Sequence, residues 1–223
     1  MSPTLLTVNL GRLTARTNPK LLPTAIDKHP HDGTVEVRDP GSRAHGLGSG
    51  LVGDEIGDHR HHGGDGQAVY AFAREELDEW GRLLGRELPN GMFGENLTTR
   101  DLVVSDAVIG ERWRVGPEVV LQVSGPRIPC GRFREHMAVK GWLKTFTRAG
   151  RSGAYLSVVT PGTIRADDEI VVVHRPDHHV TASDAFRALT LEPGTLPQLL
   201  AAGDDLPPEL AEMARAGQTY SLS

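Results

Sequence analysis

Turns limit what this chain can become. Its 223 residues include 26 glycines and 15 prolines, spaced so closely that few uninterrupted stretches remain for long elements. Glycine supplies backbone angles closed to other residues, and proline removes a ladder donor, so both end strands and helices. Between them lie short β-like runs: Thr4 to Val8, Val35 to Val37 with Glu36 alternating, Leu102 to Val104, Arg112 to Val115, Val119 to Val123, Leu156 to Val159 and Ile170 to Val173. Asn18-Pro19, Asp39-Pro40-Gly41-Ser42, Val115-Gly116-Pro117 and Thr160-Pro161-Gly162 read as the intervening turns. Short strands at this spacing predict a mainly β chain, a barrel or a sandwich, rather than a doubly wound sheet. In the main body, Val69, Phe72, Leu77, Trp80 and Leu84 have helical spacing and predict one helix over 68–84, stopped by Gly85; a shorter helix is expected over Met137 to Phe146.

The texture changes near residue 178. Thr181 to Leu189, Leu196 to Ala202 and Pro208 to Ala216 read as small Ala/Leu-rich helices, the first capped by Thr181 or Ser183. The expected organisation is a main domain over 1–177 and a small α-helical appendage over 178–223. A net charge of −5 argues against a broadly basic nucleic-acid binder. No apolar run approaches a membrane span, and Met1 to Leu10 lacks the pattern of a secretory signal, so a cytoplasmic location away from membranes is expected.

One cysteine, Cys130, excludes an internal disulfide framework and a cysteine-only metal cage. It sits in Ser124-Gly125-Pro126-Arg127-Ile128-Pro129-Cys130-Gly131-Arg132, a proline-stiffened loop after a β-like run. Arg127, Arg132 and Arg134 make the neighbourhood positive, which favours a thiolate and suits an anionic partner. A soft thiolate selects thiophilic metals. The opposing reading is a small buried hydrophobe, and a Cys–His nucleophile pair is a third.

Six of the ten histidines lie between positions 29 and 62, densest in Asp58-His59-Arg60-His61-His62-Gly63-Gly64-Asp65. They read as a solvated polar loop, as substrate or cofactor contacts, or as metal ligands, though no zinc-type spacing occurs. His62 stands out because Gly63 and Gly64 follow it and would let backbone N–H groups approach a ligand as an anion-binding nest. In Gly94-Glu95-Asn96-Leu97 a carboxylate and an amide stand side by side. They suit the mixed donor and acceptor edge of a heterocycle, or an ordinary turn.

Taken in order, Gly53-Asp54, His62-Gly63-Gly64, Gly94-Glu95-Asn96-Leu97, Gly110 with Trp113, and Val123-Ser124-x-Pro126-Arg127-x-Pro129-Cys130 resemble the MOSC domain family, the molybdenum cofactor sulfurase C-terminal domains. Gly141-Trp142-Leu143 and Pro161-Gly162 fit its bacterial YiiM-like subgroup, whose members carry a helical extension. The likeness runs from about Gly11 to Val173. It implies a MOSC-type β-barrel with a few helices. It also implies an oxidoreductase that holds the molybdenum cofactor (molybdopterin) and reduces N-hydroxylated compounds such as 6-hydroxylaminopurine to amines. The alternative within the family is a non-catalytic carrier of cofactor or sulfur. By the same resemblance Cys130 is the molybdenum ligand and a catalytic residue with His62 and Glu95. His62, Gly63, Gly64, Asn96, Arg127 and Cys130 are cofactor-binding. No local cysteine cluster exists for an iron–sulfur centre, so electrons would come from a separate donor protein. Oligomeric state is left open.

Overall fold

The computed structural model describes residues 2–15 and 22–221, so the turn expected at Asn18-Pro19 lies outside the described residues. The strands are β1 (Thr4–Gly11), β2 (Lys28–Pro30), β3 (Val35–Val37), β4 (Val69–Ala73), β5 (Leu97–Arg100), β6 (Arg112–Val115), β7 (Val119–Pro126), β8 (Ala154–Thr160), β9 (Gly162–Ile164) and β10 (Ile170–His174). The helices are α1 (Arg74–Leu84), α2 (Gly131–Met137), α3 (Trp142–Ala149), α4 (Ala182–Thr190) and α5 (Pro208–Ala216).

This is a mixed α/β fold, not a mainly β one, and the expected barrel is not formed. Eight strands make one open sheet in the order β10-β6-β7-β8-β4-β5-β1-β2, and β3 pairs β9 separately. The reason lies in how β1 is used. It pairs β5 along its first half and β2 along its last three residues. Toward β10 it makes only an isolated bridge, Thr4 to Glu169, so no ladder closes the sheet.

The helix expected over 68–84 is instead strand β4 followed by α1. All five residues of Val69–Ala73 are buried. Their alternate side chains enter different cores: Val69, Ala71 and Ala73 join the main one, Tyr70 and Phe72 an aromatic one. A strand covered on both faces shows no polar alternation, and its apolar run is confused with a helix face. β4 pairs β5 in parallel, and α1 forms part of the crossover that such a pair requires. Leu102 to Val104 forms no strand. Expected Met137–Phe146 resolves into the end of α2 and the start of α3, separated where Ala138 takes a left-handed conformation (φ 53°).

The aromatic core lies behind the site described below. Trp80, Phe93, Phe133, Trp142 and Phe146 pack with ring centroids 5.0–6.2 Å apart. At the C-terminal end, α4 is capped by Thr181 through a reciprocal box with Asp184. The expected Leu196–Ala202 helix lies within 3-10 turns over Pro193–Asp205, broken at Gly203. These turns, α4 and α5 share a third apolar cluster with Ile109 of the main body.

Candidate functional site

Cys130 stands at the junction of β7 and α2. β7 bulges between Val123 and Gly125, and the chain then passes through Arg127 and Pro129 to the thiol at the start of α2. The same short loop buries Arg127, which is 5% exposed. Its guanidinium lies 3.9 Å from the Phe133 ring centroid and 5.3 Å from that of Tyr70. Such stacking holds the flat ion without hydrating it. Its Nη1 is buried and makes no hydrogen bond.

The histidine-rich segment is a turn built around Asp58. His61 N–H and His62 N–H both donate to the Asp58 carbonyl, at 3.3 and 3.1 Å. The Asp58 carboxylate accepts from Arg60 Nε at 3.0 Å and from Arg132 Nη2 at 2.9 Å. Burial alone would raise its pKa, but these two guanidiniums hold it well below the usual carboxylate range. The turn thereby ties the histidine segment to the helix that follows Cys130 and brings His62 to the thiol. Burial alone would also raise the Cys130 pKa. The hydrogen bond from His62 and the charge of Arg127 overcome it and lower the value to about 6.

Two cavities meet at this thiol, sharing His62, Gln67, Cys130, Arg132 and Tyr155. The inner one, of about 100 Å³, is lined by Lys28, Ser49, Asp58, Tyr70, Asn96 and Arg127 among others. The outer one, of about 390 Å³, opens between the main body and the C-terminal helices. Among the described residues no cluster of three or more His, Cys, Asp or Glu side chains is arranged to hold a metal.

The remaining expected residues are placed less uniformly. Glu95 is fully buried and lines neither cavity. Its carboxylate accepts from Gly91 N–H at 2.6 Å, Phe93 N–H at 2.9 Å and the Thr98 hydroxyl at 2.9 Å. Burial pushes its pKa up while these donors pull it back. Asn96 borders the inner cavity, yet its amide is engaged: Oδ1 accepts from Tyr70 N–H, and Nδ2 donates to Asp54 and to the Asn9 carbonyl. Gly63 and Gly64 both have φ of 80°. A Cβ on Gly63 would lie 2.7 Å from the Gly48 carbonyl oxygen, and one on Gly64 would lie 2.6 Å from Arg43 N. Close packing of chain on chain requires these glycines, and of the two only Gly63 lines a cavity.

Sequence reasoning missed a buried polar cluster whose Lys28, Ser49 and Asn96 line the inner cavity. Asp54 accepts from Gly11 N–H, Lys28 Nζ, the Ser49 hydroxyl and Asn96 Nδ2. The Lys28 and Asp54 side chains are 7% and 1% exposed. A lysine is seldom buried unless paired. The available signal was Asp54 itself, within Gly53-Asp54. Tyr70 and Tyr155 were also missed; burial raises both phenol pKa values, that of Tyr155 to about 12.

Residues 58–171 match the family model described as the MOSC domain. Over 164 residues the chain is 32% identical to "Protein YiiM" of Escherichia coli (strain K12), covering 70% of this chain and 67% of that protein. It is 31% identical over 176 residues to a "Reductase" of Gibberella moniliformis, covering 77% of this chain but only 29% of that protein. The fold is similar to the crystal structure of YiiM from Geobacillus stearothermophilus, with a TM-score of 0.76, 22% identity, and coverage of 96% of this chain and 98% of that one.

Proposed function

The chain belongs to the MOSC domain family, close to the bacterial YiiM-like proteins, and from that premise we propose that it binds the molybdenum cofactor and reduces N-hydroxylated compounds to amines. The observation that carries this reading is the pairing of a low-pKa thiol with a buried guanidinium whose Nη1 has no hydrogen-bond partner, at the meeting of two cavities. Cys130 offers one soft sulfur donor. Arg127 supplies positive charge to the inner cavity, where Lys28 and Arg132 are ion-paired with Asp54 and Asp58. Nε of Arg132 and Oε1 of Gln67 are also buried without partners, leaving a donor and an acceptor for a polar ligand. That donor set fits an anionic cofactor that brings its own sulfur ligands and phosphate.

When bound, the cofactor supplies a two-electron couple near Cys130. The overall change is R–NHOH + 2 e⁻ + 2 H⁺ → R–NH₂ + H₂O, with electrons from an external donor protein. The residues orient and protonate. Arg127, fixed on Phe133 and Tyr70, binds the anion. His62, which lines both cavities beside Cys130, is the proton donor in this reading. Glu95 is not given that role, because three donors occupy its carboxylate and it lines neither cavity. The fungal relative, matched over 29% of its length, is a "Reductase", in keeping with the redox reading.

Expression in a host with intact cofactor synthesis tests this. Equimolar molybdenum and pterin are expected in the native protein. Cys130→Ala should lose 6-hydroxylaminopurine reduction with reduced viologen as donor. Native protein without molybdenum overturns the proposal. Bound cofactor without turnover on any N-hydroxy compound favours the carrier reading instead.

A further inference from the structure

Tyr155 has no task in the reaction above, yet its place in the sheet sets it beside the thiol. It lies on β8, with Tyr70 of β4 opposite it on one side and Gly125 of β7 on the other. Directly opposed residues share one face of a sheet. On the β4 side the two phenol rings pack with centroids 5.4 Å apart. On the β7 side the neighbour is a glycine, at the bulge that leads the chain to Cys130, so no cross-strand side chain covers Tyr155 there. Tyr155 therefore lines both cavities, as Cys130 and His62 do.

The two phenols differ in what their hydroxyls do. The Tyr70 hydroxyl donates to the Ser152 carbonyl at 2.7 Å, so its hydrogen is spent inside the fold. The Tyr155 oxygen meets Arg127, which acts on it as a charge and as a hydrogen-bond donor. A guanidinium has hydrogens to give and no lone pair to receive one. A phenol is protonated at neutral pH, so Tyr155 still holds a hydrogen to donate. Among the described residues no acceptor takes it. A donor left over on a wall shared with the thiol calls for an acceptor that arrives with a ligand. The reaction creates one: as the N–O bond of R–NHOH breaks, electron density gathers on the oxygen that leaves as water.

We propose that Tyr155 is a catalytic residue: its hydroxyl donates a hydrogen bond to the oxygen of the N–OH group and stabilises the charge that gathers there as the N–O bond breaks. The inference rests on the reductase reading for the reaction, but not for the binding of an electron-rich oxygen. The phenol keeps its hydrogen throughout, so the stoichiometry is unchanged: two electrons from the donor protein and two protons turn R–NHOH into R–NH₂ and H₂O. A donor already fixed against the Tyr70 ring needs no reorganisation when the charge appears.

Tyr155→Phe removes the hydroxyl and keeps the ring. Pyridine N-oxide, whose oxygen carries a formal negative charge, is the probe, titrated by calorimetry into the full chain made in a host without cofactor synthesis. It should bind the native chain, and bind Tyr155→Phe roughly fivefold more weakly, the worth of one hydrogen bond. Tyr220→Phe, which removes the hydroxyl of the other tyrosine on the outer cavity, should bind it as the native chain does. No binding to the native chain, equal affinity in Tyr155→Phe, or an equal loss in Tyr220→Phe overturns the proposal. In cofactor-loaded protein, with 6-hydroxylaminopurine and reduced viologen, kcat of Tyr155→Phe should fall about a hundredfold, with KM little changed and molybdenum content native. A native kcat overturns the catalytic role and leaves the reductase reading standing. Loss of molybdenum in parallel with kcat shows a structural role and overturns it as well. Probe binding that needs the hydroxyl, in a native chain that takes up no molybdenum, keeps Tyr155 as an oxygen-binding residue and removes the reduction.

Discussion

The thiol of Cys130 carries the sharpest prediction at the residue scale. Its pKa is lowered to about 6, so the thiolate predominates above that pH and is lost below it. Alkylation by iodoacetamide should therefore be half-maximal near pH 6 and flat by neutrality. In His62→Ala the midpoint should move up toward the ordinary thiol value of about 8.5. Asp58 gives a second test. Its pKa is depressed in the fold, so its contribution to stability is present above the unfolded value of about 3.9 and is lost as pH falls through the folded one. Asp58→Asn leaves Arg132 without its carboxylate and should cost about 2–3 kcal/mol by urea unfolding at pH 7. The gap from native protein should close in acid. Cys130 and Arg127 were legible in the sequence as a thiol and a cation in a stiff loop. The tasks of Glu95 and Asn96 were not. Whether a carboxylate faces a ligand or three backbone and hydroxyl donors depends on where the 91–98 loop folds back, and linear spacing does not encode that.

At the scale of elements, local chemistry was read best where one side chain decides the outcome. Thr181 and Asp184 stand at the spacing of a reciprocal cap, and α4 begins there. Thr181→Ala should cost about 1 kcal/mol, measured as a lower denaturation midpoint with an unchanged slope. β4 shows the opposite case. Val69 to Ala73 has no polar face because both of its faces are covered, and the aromatic cluster that covers one of them draws on α1, α2 and α3. No local pattern announces α2 and α3, which pack from far down the chain. The placement of the histidine segment is likewise a long-range matter: Asp58 holds its turn by receiving Arg132, 74 residues on.

At the scale of the whole molecule, short strands and a helical C-terminal end were legible from the density of turns. The open sheet was not, because closure depends on which neighbours β1 takes at each end. β1 pairs β5 along its first half, and the opposite edge of those same residues is tied near β10. Leu5 N–H donates to the Asp168 carbonyl at 2.9 Å, and Ile170 N–H donates to the Pro3 carbonyl at 2.8 Å. This arrangement sets a timetable for synthesis. β1 leaves the ribosome long before β10 and waits for it before the second edge of its start is secured. At about 5–20 residues per second, that wait is on the order of ten to thirty seconds. Through it, the apolar side of β1 must stay unaggregated without its final partners. A nascent chain halted at residue 165 should exchange the Leu5 amide freely, whereas the finished chain should protect it.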